Sequence, residues 1–332
     1  MTYYKDINKL YEELNIENKS TTPLKLNKEW VKLLKLLEKI NHCNQRYELV
    51  DNCIIISYKH RLNIFNFKNL FPLKLNAEII GFPVSISHKG YFGDIDKVKT
   101  VIEKRKGLKI ILNSDKLIEN GGVTLSSFIF YNKFENFNDY LNSLRSQYRR
   151  RLKIALEHRE KISIKKINRK NFNKKHYELY ISIMNRAENP LEILPIKFFQ
   201  EYESEIYEFT DIGSQRILGF IQIKDINKKL LFLFGGFKKN DNREYDLYYN
   251  MLLKIVEIGI EKNIKIIEFG QTAEESKLKI GCKEKKKYLY IHHSNLFINK
   301  FIQKLAPFFS YKPYTIKHSV FKKDDNIKVE NL

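Results

Sequence analysis

The stretch from Lys229 to His293 constrains this chain most strongly. It opens on Leu230-Leu231-Phe232-Leu233-Phe234, an unbroken apolar run of the kind that forms a strand buried on both faces, closed by Gly235-Gly236. A polar turn, Lys238 to Arg243, follows. Leu247, Met251, Leu252, Ile255 and Gly259 then recur at three- and four-residue steps, which predicts one apolar stripe on a helix from Tyr245 to Lys262. Asp241 or Asn242 is placed to cap it. Ile264–Phe269 reads as a short β-branched strand ending at Gly270. Thr272 with Glu275 three residues later has the spacing of a capping box, so a short helix is expected to open there and to stop at Gly281. Strand, helix, strand, helix, strand is a right-handed crossover unit, and its two parallel strands should diverge where a ligand can sit.

The 332 residues are enough for two domains with separate cores. Hydrophobic residues make up 43% and aromatics 13%, which excludes an intrinsically disordered chain. There is no run of eighteen apolar residues, and the start, Met1-Thr-Tyr-Tyr-Lys-Asp, lacks an apolar signal core; a cytoplasmic protein without a transmembrane segment is expected. Cys43, Cys53 and Cys282 are an odd number with no close pair, which argues against a disulfide framework and against zinc. Sixty basic and 39 acidic residues give a formal charge of +21, enough to draw a polyanion to the surface. Lys, Asn and Ile are abundant throughout, so compositional drift is the competing explanation.

In the first half, residues 1–29 are weakly patterned. Trp30, Leu33, Leu34, Leu37 and Ile40 mark an amphipathic helix over Glu29–Ile40. Arg46–Val50, Cys53–Tyr58 and Leu62–Phe67 read as a meander, with Asp51-Asn52 and Lys59-His60 as its turns. Glu78–Ser87 is a strand interrupted by Gly81 and Pro83, Val98–Lys106 a helix and Leu108–Leu112 a strand. After Phe128–Tyr131, a long helix is expected from Phe137 to Glu160. It carries Arg145, Arg149, Arg150 and Arg151, a solvated face or a clamp for an anion. Ile162–Ile167, helices at Tyr177–Arg186 and Pro195–Tyr202, and strands at Ile206–Thr210 and Arg216–Ile223 lead into the opening stretch. Leu296–Phe309 is a final helix. The chain thus divides into residues 1–135 and 136–332, with the Arg-rich helix 137–160 bridging the halves.

The order helix, helix, antiparallel meander, helix, strand, helix, strand resembles that of the GNAT acyltransferases. At residue level the chain is similar to the FemAB-like and BioF2-like N-acyltransferases, in which two GNAT-like domains are fused. The likeness covers roughly residues 78–293. It rests on Ile80-Gly81-Phe82-Pro83-Val84, on Tyr140-Leu141, Leu144 and Tyr148-Arg149, on Leu247-Tyr248-Tyr249-Asn250, and on Phe269-Gly270-Gln271-Thr272 followed by Ser276-Lys277 and Gly281. The resemblance implies an α/β protein of tandem GNAT-like domains, mixed sheets flanked by helices. It implies an acyl- or aminoacyltransferase that forms an amide on an amine acceptor, with no tightly bound cofactor or metal. The donor would be acyl-CoA, a carrier-bound phosphopantetheine thioester or an aminoacyl-tRNA. GNAT enzymes hold the coenzyme A pyrophosphate in a Gly-rich loop before the helix. Here that loop, Lys238 to Arg243, has no glycine, as in FemAB-like relatives that use aminoacyl-tRNA.

Amide formation needs a deprotonated amine, a polarised carbonyl and a protonated leaving group. At the end of the Ile264–Phe269 strand, Glu268 is a candidate base, with solvent exposure or a lysine pair as its plain alternative. Lys277 matches the family's lysine and is a candidate for oxyanion or phosphate binding, against an ordinary surface lysine. Gly270, Gln271 and Thr272 would line the substrate cleft, Tyr248 and Asn250 would donate hydrogen bonds into it, and Arg149 would contact an anion between the halves. Cys282 lacks a local histidine to activate it, and the adjacent His292 and His293 point to opposite faces, unsuited to one metal. The readings outside enzymology are a degenerate GNAT pair that binds nucleic acid without catalysis, and a scaffold for a partner enzyme.

Overall fold

A computed structural model of the chain describes residues 2–17, 24, 26–63, 74–186, 192–309, 311 and 314–322. In chain order the elements are β1 (Thr2–Tyr4), α1 (Ile7–Glu17), α2 (Lys28–Ile40), β2 (Arg46–Val50), β3 (Cys53–Asn63), β4 (Lys74–Ile80), β5 (Tyr91–Phe92), α3 (Ile95–Glu103), β6 (Leu108–Ser114) and β7 (Gly122–Tyr131). There follow α4 (Phe137–Ser143), α5 (Ser146–Arg159), β8 (Ile162–Ile167), α6 (Lys174–Met184), α7 (Ile196–Glu201), β9 (Glu205–Asp211), β10 (Ile217–Ile226) and β11 (Lys229–Phe237). The chain continues with α8 (Lys239–Tyr245), α9 (Leu247–Glu261), β12 (Ile266–Glu268), α10 (Glu274–Lys279), β13 (Lys283–His293) and α11 (Leu296–Phe309). Two compact units form, one from Met1–Ser126 with Lys286–Pro313, the other from Ser127–Lys285 with Tyr314–Leu332.

The first unit runs β1-β2-β3-β4-β6-β13, antiparallel except for the parallel pair β4–β6. Because successive strand residues face opposite sides, Ile80 and Ile111 pack with Val98 and Ile102 of α3, while Ile79 and Ile110 pack with Tyr58 and Leu108 on the other face. The predicted helix 29–40 forms as α2, capped by Asn27, whose side chain accepts from Glu29 N at 2.7 Å. Two expectations fail here. β1 and α1 occupy the stretch read as unpatterned, with Ile7, Leu10 and Leu14 buried. β3 runs straight through Lys59-His60, paired with β4 at Glu78 and Ala77, so no turn forms there. The rest of the strand expected at Leu62–Phe67 lies outside the described residues.

In the second unit the order is β7-β12-β11-β10-β9-β8. β8 to β11 form an antiparallel meander, β11 and β12 are parallel, and β12 returns antiparallel to β7. The crossover unit is present as expected. α9 buries Leu247, Met251, Leu252, Ile255 and Val256 against Leu218, Ile221, Leu230 and Ile267. At about 25 cal/mol per Å², burial of such side chains stabilises by roughly 1.5–3 kcal/mol each, which is what holds α9 on the sheet. On the opposite face α6 and α7 pack an aromatic cluster of Phe172, Tyr180, Phe198, Phe199, Phe220 and Phe234.

Gly235-Gly236 does not end β11, which continues to Phe237. A Cβ on Gly236 would stand 2.4 Å from Phe220 and 2.7 Å from the Tyr180 backbone nitrogen, so glycine is there to let α6 approach the strand. The polar turn at Lys238–Arg243 is instead the helix α8. Asn242 does cap the start of α9, its Oδ1 accepting from Tyr248 N at 2.7 Å, although Asp246 occupies the N-cap position, in the left-handed region at φ 46° and with no side-chain cap bond of its own. The single long helix expected over 137–160 is broken into α4 and α5. Leu144 and Arg145 turn extended because Leu144 bridges Phe321 and Arg145 N donates to Val320 O at 2.9 Å.

Candidate active site

β11 and β12 share only three register pairs, from Lys229 with Ile266 to Leu231 with Glu268. β12 then stops while β11 runs six residues further, so the parallel ladder ends at Leu231 and Glu268. The turn that leaves β12 is strained. Gly270 sits at φ 69°, Thr272 at 64° and Ala273 at 48°. Left-handed backbone is uncommon for non-glycine residues and an outlier for a β-branched one, and it persists only where the surroundings enforce it. Here Gly270 O accepts from Phe128 N at 3.0 Å, and Phe269 N donates to Phe128 O at 2.9 Å, so β7 pins the turn. The capping box expected from Thr272 and Glu275 is absent: Ala273 is the N-cap residue, with no side-chain bond, because Thr272 is already in the left-handed region.

This turn aims Lys277 inward. Lys277 N donates to Ala273 O at 3.3 Å and its carbonyl accepts from Cys282 N at 3.1 Å, which fixes its backbone on both sides. The side chain is 2% exposed; Nζ donates to Gln271 O at 2.6 Å and lies 5.7 Å from the centre of the Phe128 ring. Burial pushes its pKa down to about 7, with partial compensation from Cys282 and Glu274. The surface-lysine alternative for Lys277 is therefore excluded. Cys282 is buried beside it, and burial holds its thiol protonated, so it is no nucleophile.

Of the residues singled out from sequence, Gly270, Gln271, Thr272 and Lys277 come together around this turn. Glu268 does not join them. It pairs with Ile129, and strand alternation puts it on the face opposite Phe128, the ring beside Lys277. Asn250 is fully buried, and its Nδ2 donates to Ala155 O at 2.8 Å and Tyr245 O at 2.9 Å; it ties α9 to α5 and lines no cleft. Tyr248 packs its ring 5.7 Å from that of Phe237, and its backbone nitrogen donates to Asn242 Oδ1 at 2.7 Å. Arg149 is half-buried. Its neighbour Arg151, not Arg149, lines a cavity of about 340 Å³ with Gln147, Tyr148, Leu152, Lys279 and His318.

Sequence reasoning missed Phe128, Tyr314 and His318. Glu274 Oε2 accepts from Tyr314 N at 3.0 Å, and His318 bonds both the Tyr314 hydroxyl at 3.2 Å and that of Tyr148 at 3.1 Å. This chain links α10, the segment after Tyr314, and α5. Tyr314 and His318 are four residues apart, but Phe128 lies far from both, and the groups they meet, Glu274 and Tyr148, are distant in the chain, so no local signal marks them.

The start of α9, where a GNAT enzyme would place a phosphate, is already occupied. Asn242 takes the Tyr248 amide, and the Asp246 carboxylate accepts two bonds from Arg151, one of them 3.1 Å from Nη1. A carboxylate at a helix N-terminus repels the anion that position would otherwise attract. Among the described residues no group of His, Cys, Asp and Glu is disposed to hold a metal, and no helix is long and apolar enough to cross a membrane.

No family model matches the sequence, and no curated protein matches it. Solved structures do. FemX is similar at 11% identity and a TM-score of 0.50, over 91% of this chain and all of that one. The C-terminal domain of a protein described as a lysylphosphatidylglycerol synthetase, from Agrobacterium fabrum, is similar at 8% identity and a TM-score of 0.50, over 90% of this chain and 95% of that one. The chain therefore shares its α/β fold with FemX, in keeping with the fold class expected from the resemblance.

Proposed function

We propose that this protein transfers an acyl or aminoacyl group from an activated ester or thioester to an amine, with Lys277 managing the proton. The observation that carries this reading is a buried lysine whose pKa is lowered to about 7, held by one carbonyl beside a left-handed turn where the parallel ladder ends. In the reaction the amine nitrogen attacks the donor carbonyl carbon, the C–N bond forms, and the C–O or C–S bond to the carrier breaks. The proton lost by the attacking amine passes to the neutral Lys277 amine, and the resulting ammonium returns a proton to the departing oxygen or sulfur. A group with a pKa near the working pH serves both steps. As a cation, Lys277 also stabilises the oxyanion formed in between. Glu268 has no part in this mechanism, since its strand position turns it away.

Aminoacyl-tRNA is the favoured donor over acyl-CoA. The blocked start of α9 offers no cradle for a pyrophosphate, and the formal charge of +21 suits a long polyanion. The nucleic-acid-binding reading shares the charge but gives Lys277 no task.

The test is a thermal-shift titration with charged tRNA, acetyl-CoA and an acylated carrier at two salt concentrations, followed by donor consumption with hydroxylamine as acceptor. Stabilisation by one donor, with consumption lost in Lys277→Met, supports the transferase. Salt-sensitive tRNA binding without consumption, unchanged in Lys277→Met, would establish the non-catalytic module.

A further inference from the structure

α11 turns large apolar side chains outward. Leu296 is 73% exposed, Phe297 86%, Ile298 44% and Phe301 63%. A frayed helix end does not account for this. The Asn295 side chain accepts from Phe297 N at 3.0 Å and Ile298 N at 3.2 Å, and its carbonyl accepts from Asn299 N at 2.9 Å, so the first turn is capped and held. Ile302 fixes the orientation by packing against the core of Tyr58, Ile79, Leu108 and Ile110. Phe297 and Phe301, four residues apart, share one side of the helix, and the exposed Lys300 and Lys304 flank it.

The charge along this stretch of the chain has one sign. From Lys286 to Pro313 the sequence has no aspartate or glutamate and five lysines. Lys287 is neutralised by Asp115 at 2.7 Å. α11 contains no acid. An amphipathic helix with large apolar side chains on one side and lysines at its edge meets the two requirements of an anionic bilayer surface.

We propose that the first two turns of α11 dock this protein on membranes rich in anionic lipid. Leu296, Phe297 and Phe301 enter the boundary between headgroups and acyl chains, while Lys300 and Lys304 bury their stems and keep their ammonium groups at the lipid phosphates. A second copy of the chain fits the face less well, because it would bring two acid-free, lysine-bearing helices together. RNA would engage the lysines and give the aliphatic Leu296 and Ile298 nothing to stack on. The proposal is independent of the reaction at Lys277.

The experiment is cosedimentation of the full chain with vesicles of phosphatidylcholine alone and with added phosphatidylglycerol. The phosphatidylglycerol vesicles should bind at least about tenfold more protein, and Phe297→Glu with Phe301→Glu should remove that gain at an unchanged melting temperature. Both side chains already face water, so the pair leaves the core intact. In a second measurement, Phe297→Trp should show emission shifted to the blue on phosphatidylglycerol vesicles relative to the parent chain, which reports Trp30 alone. Equal binding to both vesicles, full binding by the double variant, or an unshifted Phe297→Trp spectrum overturns the proposal. So does a concentration-dependent dimer that the double variant abolishes in the absence of vesicles, or RNA binding that the double variant abolishes.

Discussion

Lys277 Nζ lies 2.6 Å from the carbonyl oxygen of Gln271, and no carboxylate among the described residues stands within ion-pair distance of it. A backbone carbonyl offers a dipole where a buried ammonium needs a full opposite charge, so folding favours the neutral amine.

Stability should therefore depend on pH through this residue. In the folded protein its pKa is pushed down to about 7, while an unfolded lysine titrates near ~10.4. Between those values the unfolded state binds the extra proton, so stability rises with pH from about 7 towards 10. The whole effect is on the order of 4 kcal/mol. Lys277→Met should flatten the rise and leave the protein at least as stable at neutral pH. Urea unfolding of both proteins at several pH values measures it. The difference between them matters, because the buried Cys282 thiol works in the opposite direction above about pH 8.5.

Ala273→Gly should relax the turn. Alanine at φ 48° carries a left-handed cost of about 1–2 kcal/mol that glycine escapes. The variant should gain about 1 kcal/mol by denaturant unfolding while donor consumption falls, because the turn that aims Lys277 becomes looser. Equal activity with greater stability would show that the strain has no functional purpose.

Asn250→Leu separates support from substrate contact. Removing both Nδ2 bonds leaves the Ala155 carbonyl with only its helical partner and takes the side-chain donor from the Tyr245 carbonyl, a cost of about 1–3 kcal/mol in all. The melting temperature should drop. Donor binding by the folded fraction should stay the same, in contrast to the substrate role expected from its place in the Leu247-Tyr248-Tyr249-Asn250 motif.

In the first unit, Arg105 joins two carboxylates at 2.6 Å each, those of Glu48, 1% exposed, and Glu78. Arg105→Met strands Glu48 in the interior, where burial already raises its pKa to about 7. A loss of about 3–5 kcal/mol is expected by urea unfolding, and adding Glu48→Gln should return much of it.

Elements whose signal is local could be read directly from the order of residues. The apolar period of α9 and the stripe that makes α2 are properties of consecutive residues, so the crossover unit followed from them, while the fold class rested on the resemblance. Lys277 and Gly270 to Thr272 were singled out through the Phe269-Gly270 to Gly281 motif, but the left-handed turn at Thr272 and Ala273 was not, since a capping box was expected in its place. Tertiary structure decided what depends on residues distant in the chain. It broke the helix at Leu144 because Val320 and Phe321 bind there, and it carried β11 through Gly236 because α6 lies against it. It turned Glu268 away from Lys277 by its register with Ile129, and brought Phe128, from a strand more than a hundred residues earlier, under the Lys277 amine. A lysine acquires a depressed pKa only when other parts of the chain exclude water from it, and no spacing within one segment records that.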